Sequence, residues 1–137
     1  AWNYMMSIDT PASKKFAKSF KKRWGADRVV ADPQESAYNM VYLWKQAVED
    51  AGTFDDNAVR EALVGQKFDA PQGPVEVMPN HHLSQTVRIG EINAEGGFTI
   101  LEETGVVLPQ AWNQKHPSSK GFACDWTDPS KGEKYKL

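Results

Sequence analysis

The sequence contains three histidines, the side chains most often found as metal ligands, and two of them are adjacent. His81 and His82 stand in a segment that reads as extended, so their rings should point to opposite faces. No cysteine or further histidine lies at tight ligand spacing from the pair, and His116 is far along the chain. The pattern predicts solvated or backbone-bonded rings, and it indicates no metal or other cofactor.

Cys124 is the chain's one cysteine, so no intrachain disulfide can form. A nucleophilic thiol needs a neighbouring base or cation that lowers its pKa. No histidine or acid stands in a recognisable nucleophile motif with Cys124, and we expect a packed thiol there. Because no acid–base set can be assembled elsewhere, the sequence predicts a protein that is not an enzyme.

Basic residues are concentrated in one segment: six of the 16 fall within ten positions, which leaves 10 basic against 18 acidic residues elsewhere. The six are Lys14, Lys15, Lys18, Lys21, Lys22 and Arg23. One interpretation is a contact with an anionic surface such as a membrane face. The other is the solvated back of a helix, and the narrow apolar stripe of this segment favours it.

The 137 residues carry a formal net charge of −2, which argues against a dedicated nucleic-acid binder. No stretch approaches the roughly 20 apolar residues of a membrane span. The first residues lack the basic start and apolar core of a signal peptide. The mean hydropathy of −0.59 is polar for a self-sufficient domain. We therefore expect the chain to begin in the middle of a longer protein.

A first helix is predicted after Thr10, which can cap it, with Pro11 at the first helical position. Its apolar stripe recurs every four residues and consists of Phe16, Phe20 and Trp24. Gly25 is placed to end the helix in a left-handed conformation.

The second helix has the most complete start signal. Asp32 can cap it, Pro33 takes the first position, and Glu35 is the acid of a capping box. Helical spacing predicts a helix over residues 33–51, which Gly52 ends. We expect its apolar stripe to be well buried. The stripe consists of Ala37, Met40, Val41, Trp44, Ala47, Val48 and Ala51.

A third, shorter helix is expected over residues 56–64, after which the hydrophobic period changes from helical to alternating. A strand is predicted over residues 75–78. Residues 86–92 and 98–100 should form a β-hairpin around a glycine-rich turn. Gly90 is expected to mark a bulge, because the alternation slips beside it.

Four blocks of the sequence carry a family resemblance when they are taken in order. They are residues 7–11 (SIDTP), the helix from Asp32-Pro33 to Ala47-Val48, residues 68–74 (FDAPQGP) and residues 86–92 (TVRIGEI). Together they resemble the C-terminal part of the substrate-binding proteins of urea and short-chain amide ABC transporters. These are type I periplasmic binding proteins, related to the branched-chain amino-acid binders.

The resemblance implies a two-lobed α/β protein whose chain crosses between the lobes three times and encloses a small ligand in the cleft. This chain would be a C-terminal fragment of it, with about three helices, a β-hairpin and an irregular tail. Its expected parts are a hinge-proximal segment (1–9), part of the α/β lobes (10–108) and the tail (109–137), held by Trp112, Phe122 and Trp126. Such a fragment should leave one apolar helix face uncovered, so self-association is plausible.

In the branched-chain amino-acid relatives, the loop before the long helix lies close to the ligand cleft. The ligand-binding candidates are therefore Asp32, Pro33, Glu35 and Tyr38. A carboxylate suits urea or an amide, because it accepts hydrogen bonds from an NH₂ group. The alternative is structural, with Asp32 and Glu35 in a capping box and Tyr38 in the core. Trp2 and Tyr4 would form a cleft wall near the hinge, or pack against a missing lobe.

The resemblance thus predicts the solute-binding component of an ABC importer for urea or short-chain amides, which binds by lobe closure. It would be periplasmic or extracellular, and its partners would be a small polar ligand and an ABC permease, with no nucleic acid. The alternative is a regulatory or sensory domain of the same fold that binds an amide or a branched-chain amino acid.

Overall fold

A computed structural model describes residues 1–110, 113–118, 120, 122–123 and 135–136, the last two pairs by their backbone alone. Helices come first: α1 Pro11–Trp24, α2 Asp32–Ala51 and α3 Asp56–Leu63. Strands follow: β1 Lys67–Ala70, β2 Gly73–Val77, β3 Leu83–Ile92, β4 Phe98–Val107, β5 Phe122–Ala123 and β6 Tyr135–Lys136. Strands β1 to β4 form an antiparallel sheet in that order, and β5 pairs with β6. The predicted α/β class is confirmed.

Helix α1 begins as predicted, because the Thr10 hydroxyl accepts a hydrogen bond from the Ser13 N–H at 3.1 Å. Two corrections concern its end. Trp24 does not join the buried stripe, since its side chain is 60% exposed. Gly25 ends the helix with φ 126° and ψ 143°, outside the left-handed helical region. The chain leaves α1 in an extended direction at a positive φ, which a residue with a Cβ rarely adopts.

Helix α2 has the predicted extent, and Gly52 ends it in a left-handed conformation with φ 64° and ψ 16°. The prediction that Asp32 caps it is wrong. Ala31 is the N-cap residue, and the Gln34 Oε1 accepts the Ala31 N–H at 3.1 Å. Asp32 is already helical, and its carboxylate binds another segment of the chain.

The burial predicted for α2 is confirmed at Ala47 and wrong for most of the stripe. Met40 is 66% exposed, Val41 63% and Trp44 49%. The buried face lies to one side of the predicted one and consists of Glu35, Asn39, Leu43 and Ala47. The reason is that the sheet packs on that side, where Leu43 joins a core cluster with residues of β1 and β2. An uncovered apolar helix face, of the kind the resemblance implies, is therefore present.

The sheet is larger than the sequence predicts. Strand β1 was not predicted, and it pairs with β2 from Lys67↔Glu76 to Ala70↔Gly73. Strands β3 and β4 have ten residues each, so the hairpin extends well beyond its predicted arms. The pairing register shifts between Ile89 and Gly90, as expected.

A second core cluster joins α1 to the N-terminal segment, and consists of Tyr4, Ile8, Phe16 and Val30. The predictions for Trp112, Cys124 and Trp126, and for the Phe122 side chain, lie outside the described residues. Within the described part, no helix has the length and apolar character needed to span a bilayer.

Candidate functional site

The N-terminal segment, residues 2–4, lies between the first turn of α2 and strand β3. Trp2 and Arg88 form an antiparallel bridge, with N–O distances of 3.0 and 2.8 Å. The Asp32 Oδ1 accepts hydrogen bonds from the backbone N–H groups of Asn3 at 3.0 Å and Tyr4 at 2.7 Å. The Asn3 amide donates to the Thr86 carbonyl at 2.8 Å. Three distant parts of the sequence are therefore joined at this segment.

Arg88 lies at the centre of these contacts and is 4% exposed. Its Nη1 donates to the Asn3 carbonyl at 2.6 Å, and its Nη2 donates to the Gln72 carbonyl at 2.8 Å. Nη2 also lies 3.2 Å from a carboxylate oxygen of Glu103. The guanidinium thus ties the N-terminal segment to the β1–β2 turn and to β4.

Glu35 is fully buried beside this group. Its Oε1 accepts hydrogen bonds from the Asn39 amide at 2.8 Å and from the Gln72 N–H at 3.2 Å. Burial raises the pKa of Glu35 above its ordinary value and the Asp32 charge adds to this, whereas the two hydrogen bonds and the Arg88 charge oppose it. The carboxylate is therefore held in an environment that favours its protonated form.

Several buried polar atoms of this network have no hydrogen-bond partner among the described residues. They are Glu35 Oε2, Asn39 Oδ1, Gln72 Oε1 and Arg88 Nε. Each such atom is costly to bury without a partner.

A cavity of about 250 Å³ lies next to the N-terminal segment. Its walls come from residues 2–7, from the loop before α2 and from the β3–β4 turn. Trp2 and Phe98 lie on it with ring centroids 5.4 Å apart. Asn93 and Glu95 supply polar groups at its edge. The cavity is small, has an aromatic wall and carries few polar side chains.

The four predicted site residues do not meet in this cavity. Asp32 and Glu35 belong to the buried network, and Pro33 is exposed at the start of α2. Tyr38 lies in a separate groove between α1, α2 and β1, with its ring 4.7 Å from those of Phe16 and Tyr42. Burial and the neighbouring Tyr42 raise the pKa of Tyr38 to about 12.

Sequence reasoning missed Arg88, Gln72 and Asn39. A signal for Asn39 existed, because it stands one helical turn after Glu35 and therefore shares its face. Arg88 was hidden by the alternation of its strand, whose apolar positions suggest the inward face. In the structure Thr86 and Arg88 are buried, while Ile89 is 44% exposed.

The histidines make no metal site in the described part of the chain, where no group of three or more potential ligands occurs. His81 and His82 are both exposed. The His82 Nδ1 lies 2.9 Å from the Asn80 carbonyl oxygen.

Three comparisons place this chain among known proteins. It is 30% identical over 107 residues to a protein named limonene hydroxylase from Geobacillus stearothermophilus. The aligned region covers 78% of this chain and 20% of that protein. It is 28% identical over 93 residues to the Leu/Ile/Val-binding protein homolog 6 of Brucella abortus, covering 66% of this chain and 24% of that one.

A solute-binding protein of an ABC transporter from Rhodopseudomonas palustris HaA2, solved in complex with p-hydroxybenzoic acid, has the same fold. The TM-score is 0.61 at 26% identity, over 77% of this chain and 29% of that protein. The chain thus spans between a fifth and a third of the length of these relatives. Residues 1–118 match the family model described as a periplasmic binding protein domain. This chain belongs to that periplasmic binding protein family, whose relatives include ABC solute-binding and branched-chain amino-acid-binding proteins.

Proposed function

We propose that this chain is part of the solute-binding component of an ABC importer that takes up urea or short-chain amides. The complete protein binds without chemistry, closes two lobes around its ligand and delivers it to an ABC permease from the periplasm or the cell exterior. Binding drives closure when the ligand has a higher affinity for the closed state than for the open one. The hydroxylase name of the Geobacillus relative belongs to that protein alone.

The observation that carries the proposal is the position of Asp32. One oxygen, Oδ1, fixes Asn3 and Tyr4, and the preceding Ala31 lines the cavity of about 250 Å³. The other oxygen, Oδ2, has no hydrogen bond to the described residues, so it can accept one from a ligand NH₂ group. Asp32 does not itself line the cavity, but it is the predicted site residue that directly follows a lining residue and keeps a carboxylate oxygen for a ligand.

The other three predicted residues have supporting roles in this proposal. Glu35 is buried and positions the β1–β2 turn through the Gln72 N–H. Pro33 presets the backbone at the start of α2. Tyr38 faces its own groove and stabilises the packing of α1 on α2.

The cavity supports a ligand of few atoms, because drug-sized ligands occupy pockets of roughly 300 to 1,000 Å³. Asn93 uses its side-chain oxygen on the Gly97 N–H at 2.8 Å, which leaves its NH₂ group for a ligand carbonyl. Glu95 adds an acceptor for NH₂ groups. A carbonyl flanked by NH₂ groups is the pattern of urea, and of an amide in part.

The aromatic wall of the cavity favours a second class of ligand. The Rhodopseudomonas palustris relative was solved with p-hydroxybenzoic acid, and the aromatic wall formed by Trp2 and Phe98 offers a surface on which a ring can stack. An aromatic or branched-chain carboxylate is therefore the competing ligand.

Isothermal titration calorimetry of the complete solute-binding protein that contains this sequence tests the proposal. Urea, acetamide, leucine and p-hydroxybenzoate are titrated separately, and we expect saturable heat from urea or acetamide. Asp32→Asn should weaken that binding about tenfold, since it removes the charge from one hydrogen bond. The control is Asp56→Asn, an acid at the same helical position of α3. Heat from leucine or p-hydroxybenzoate alone would overturn the amide class, and heat from none would overturn the ligand-binding proposal.

A further inference from the structure

Helix α1 presents one continuous basic face to solvent. At 100° per residue, five lysines fall within an arc of about 120°. This lysine face consists of Lys14, Lys15, Lys18, Lys21 and Lys22. The opposite side of the helix packs inward, where Phe16 is buried and Ala17 and Phe20 contact the core. The lysine face therefore lies on the side of α1 opposite to the packed one, with Lys15 at the edge of the groove between α1, α2 and β1.

Little negative charge accompanies this face. The helix has no acidic residue in its first turn, and its sequence contains none elsewhere. Within the described residues, Lys14 pairs with Asp9, and no other lysine of the face has an ion-pair partner. Outside α1 the chain has 10 basic against 18 acidic residues, so the excess positive charge is concentrated in this helix.

Helix stability does not account for this arrangement. Cations near the C-terminal end of a helix are favourable, which explains Lys21 and Lys22. Lys14 and Lys15 lie near the N-terminal end, where the helix dipole disfavours positive charge. Like charges one turn apart, such as Lys14 and Lys18, also repel each other. The lysine face therefore costs the helix stability, which is expected of a surface that binds an anion.

We propose that the lysine face of α1 docks on the anionic headgroups of a phospholipid bilayer. A flat anionic surface can meet all five ammonium groups at once, because they lie on one face of the helix. Docking is electrostatic and does not depend on ligand binding.

Sedimentation of the 137-residue chain with vesicles tests this proposal. We expect it to bind vesicles of phosphatidylcholine mixed with phosphatidylglycerol, not those of phosphatidylcholine alone, and to dissociate at high salt. The double variant Lys15→Gln/Lys18→Gln should bind about 25-fold more weakly, at roughly fivefold per lysine. The matched control Lys45→Gln/Lys67→Gln removes the same charge elsewhere and should bind nearly as the parent does.

Three outcomes would overturn the proposal, provided that circular dichroism shows the variants to be folded. One is the absence of binding to anionic vesicles. Another is equal binding to neutral vesicles, which would indicate adsorption through the exposed apolar face of α2. The third is an equal loss of binding in both double variants, which would indicate a response to net charge.

Discussion

The Tyr4 backbone N–H donates a 2.7 Å hydrogen bond to Asp32 Oδ1, an oxygen that also accepts the Asn3 N–H. A side chain whose sequence position is typical of a helix cap thus anchors the N-terminal segment. Arg88 holds the same segment from the opposite side through the Asn3 carbonyl. The segment is fixed by one anion and one cation, which come from α2 and β3.

We predict that Asp32→Ala lowers the free energy of unfolding by about 2–3 kcal/mol, because two backbone N–H groups lose a charged acceptor. Asp32→Asn keeps a carbonyl oxygen and should cost about 1 kcal/mol. Urea unfolding followed by circular dichroism measures both. Asp56→Ala is the control, since Asp56 also begins a helix and its side chain makes no hydrogen bond within the described residues. Equal losses at Asp32 and Asp56 would mean that only the helix dipole is involved.

The helices show how far local signals determine this fold. Caps, prolines and glycines act within one turn, so the bounds of α1, α2 and α3 could be predicted closely. The buried face of α2 could not, because Leu43, Glu35 and Asn39 lie beside the predicted apolar stripe and take the inward position instead. Which face packs depends on the elements available to cover it, and these are distant in sequence.

The candidate site was predictable only in part, for a similar reason. Asp32 and Glu35 stand next to a recognisable helix start, which distinguishes them in the sequence. Their hydrogen-bond partners Tyr4 and Gln72, and Arg88 that binds the Gln72 carbonyl, come from three other segments. A hydrogen bond between residues so far apart in sequence leaves no local pattern, and Arg88 in an alternating strand is not distinguishable from an outward-facing charge.

Glu35 should make stability depend on pH. Because burial raises its folded-state pKa above the ordinary 4.5, the native state holds the proton more tightly than the unfolded chain does. The stability linked to this group is complete below about pH 4.5 and is lost as the pH rises through the folded-state pKa. Glu35→Gln is neutral throughout and lacks this loss. The melting temperature of Glu35→Gln minus that of the parent should therefore increase from pH 4 to pH 7.

Thermal unfolding at a series of pH values measures this difference. Glu61→Gln, at an exposed position of α3, is the control and should shift the melting temperature by a similar amount at each pH. If Glu35 could be charged at no cost in the folded protein, the melting temperatures of the parent and of Glu35→Gln would change with pH in parallel. That result would contradict the prediction.

A side chain at Gly90 would displace the end of the Met5 side chain. A Cβ at Gly90 would lie 2.6 Å from Met5 Sδ and 2.7 Å from its Cε, although the backbone there has no positive φ. Because Met5 is flexible but only 2% exposed, Gly90→Ala should destabilise the protein by about 1 kcal/mol through overpacking. In Met5→Ala/Gly90→Ala the costs should be less than additive, because the clash is removed. Gly97→Ala is the control, since its nearest side-chain neighbour lies 3.5 Å away. Fully additive losses would show that Met5 and Gly90 do not interact.

The exposed stripe on α2 should make the isolated chain self-associate. Met40, Val41 and Trp44 form a contiguous apolar surface on one helix face, and such surfaces are usually covered in a native assembly. Val41→Glu should reduce association in sedimentation velocity runs over a range of concentrations, while the free energy of unfolding changes by about 0.5 kcal/mol or less, as for other exposed sites. Asn57→Glu adds the same charge at an exposed position of α3, outside the stripe, and should leave association unchanged. A chain that stays monomeric at all concentrations, or associates equally well with Glu at position 41, would show that this face does not hold copies together.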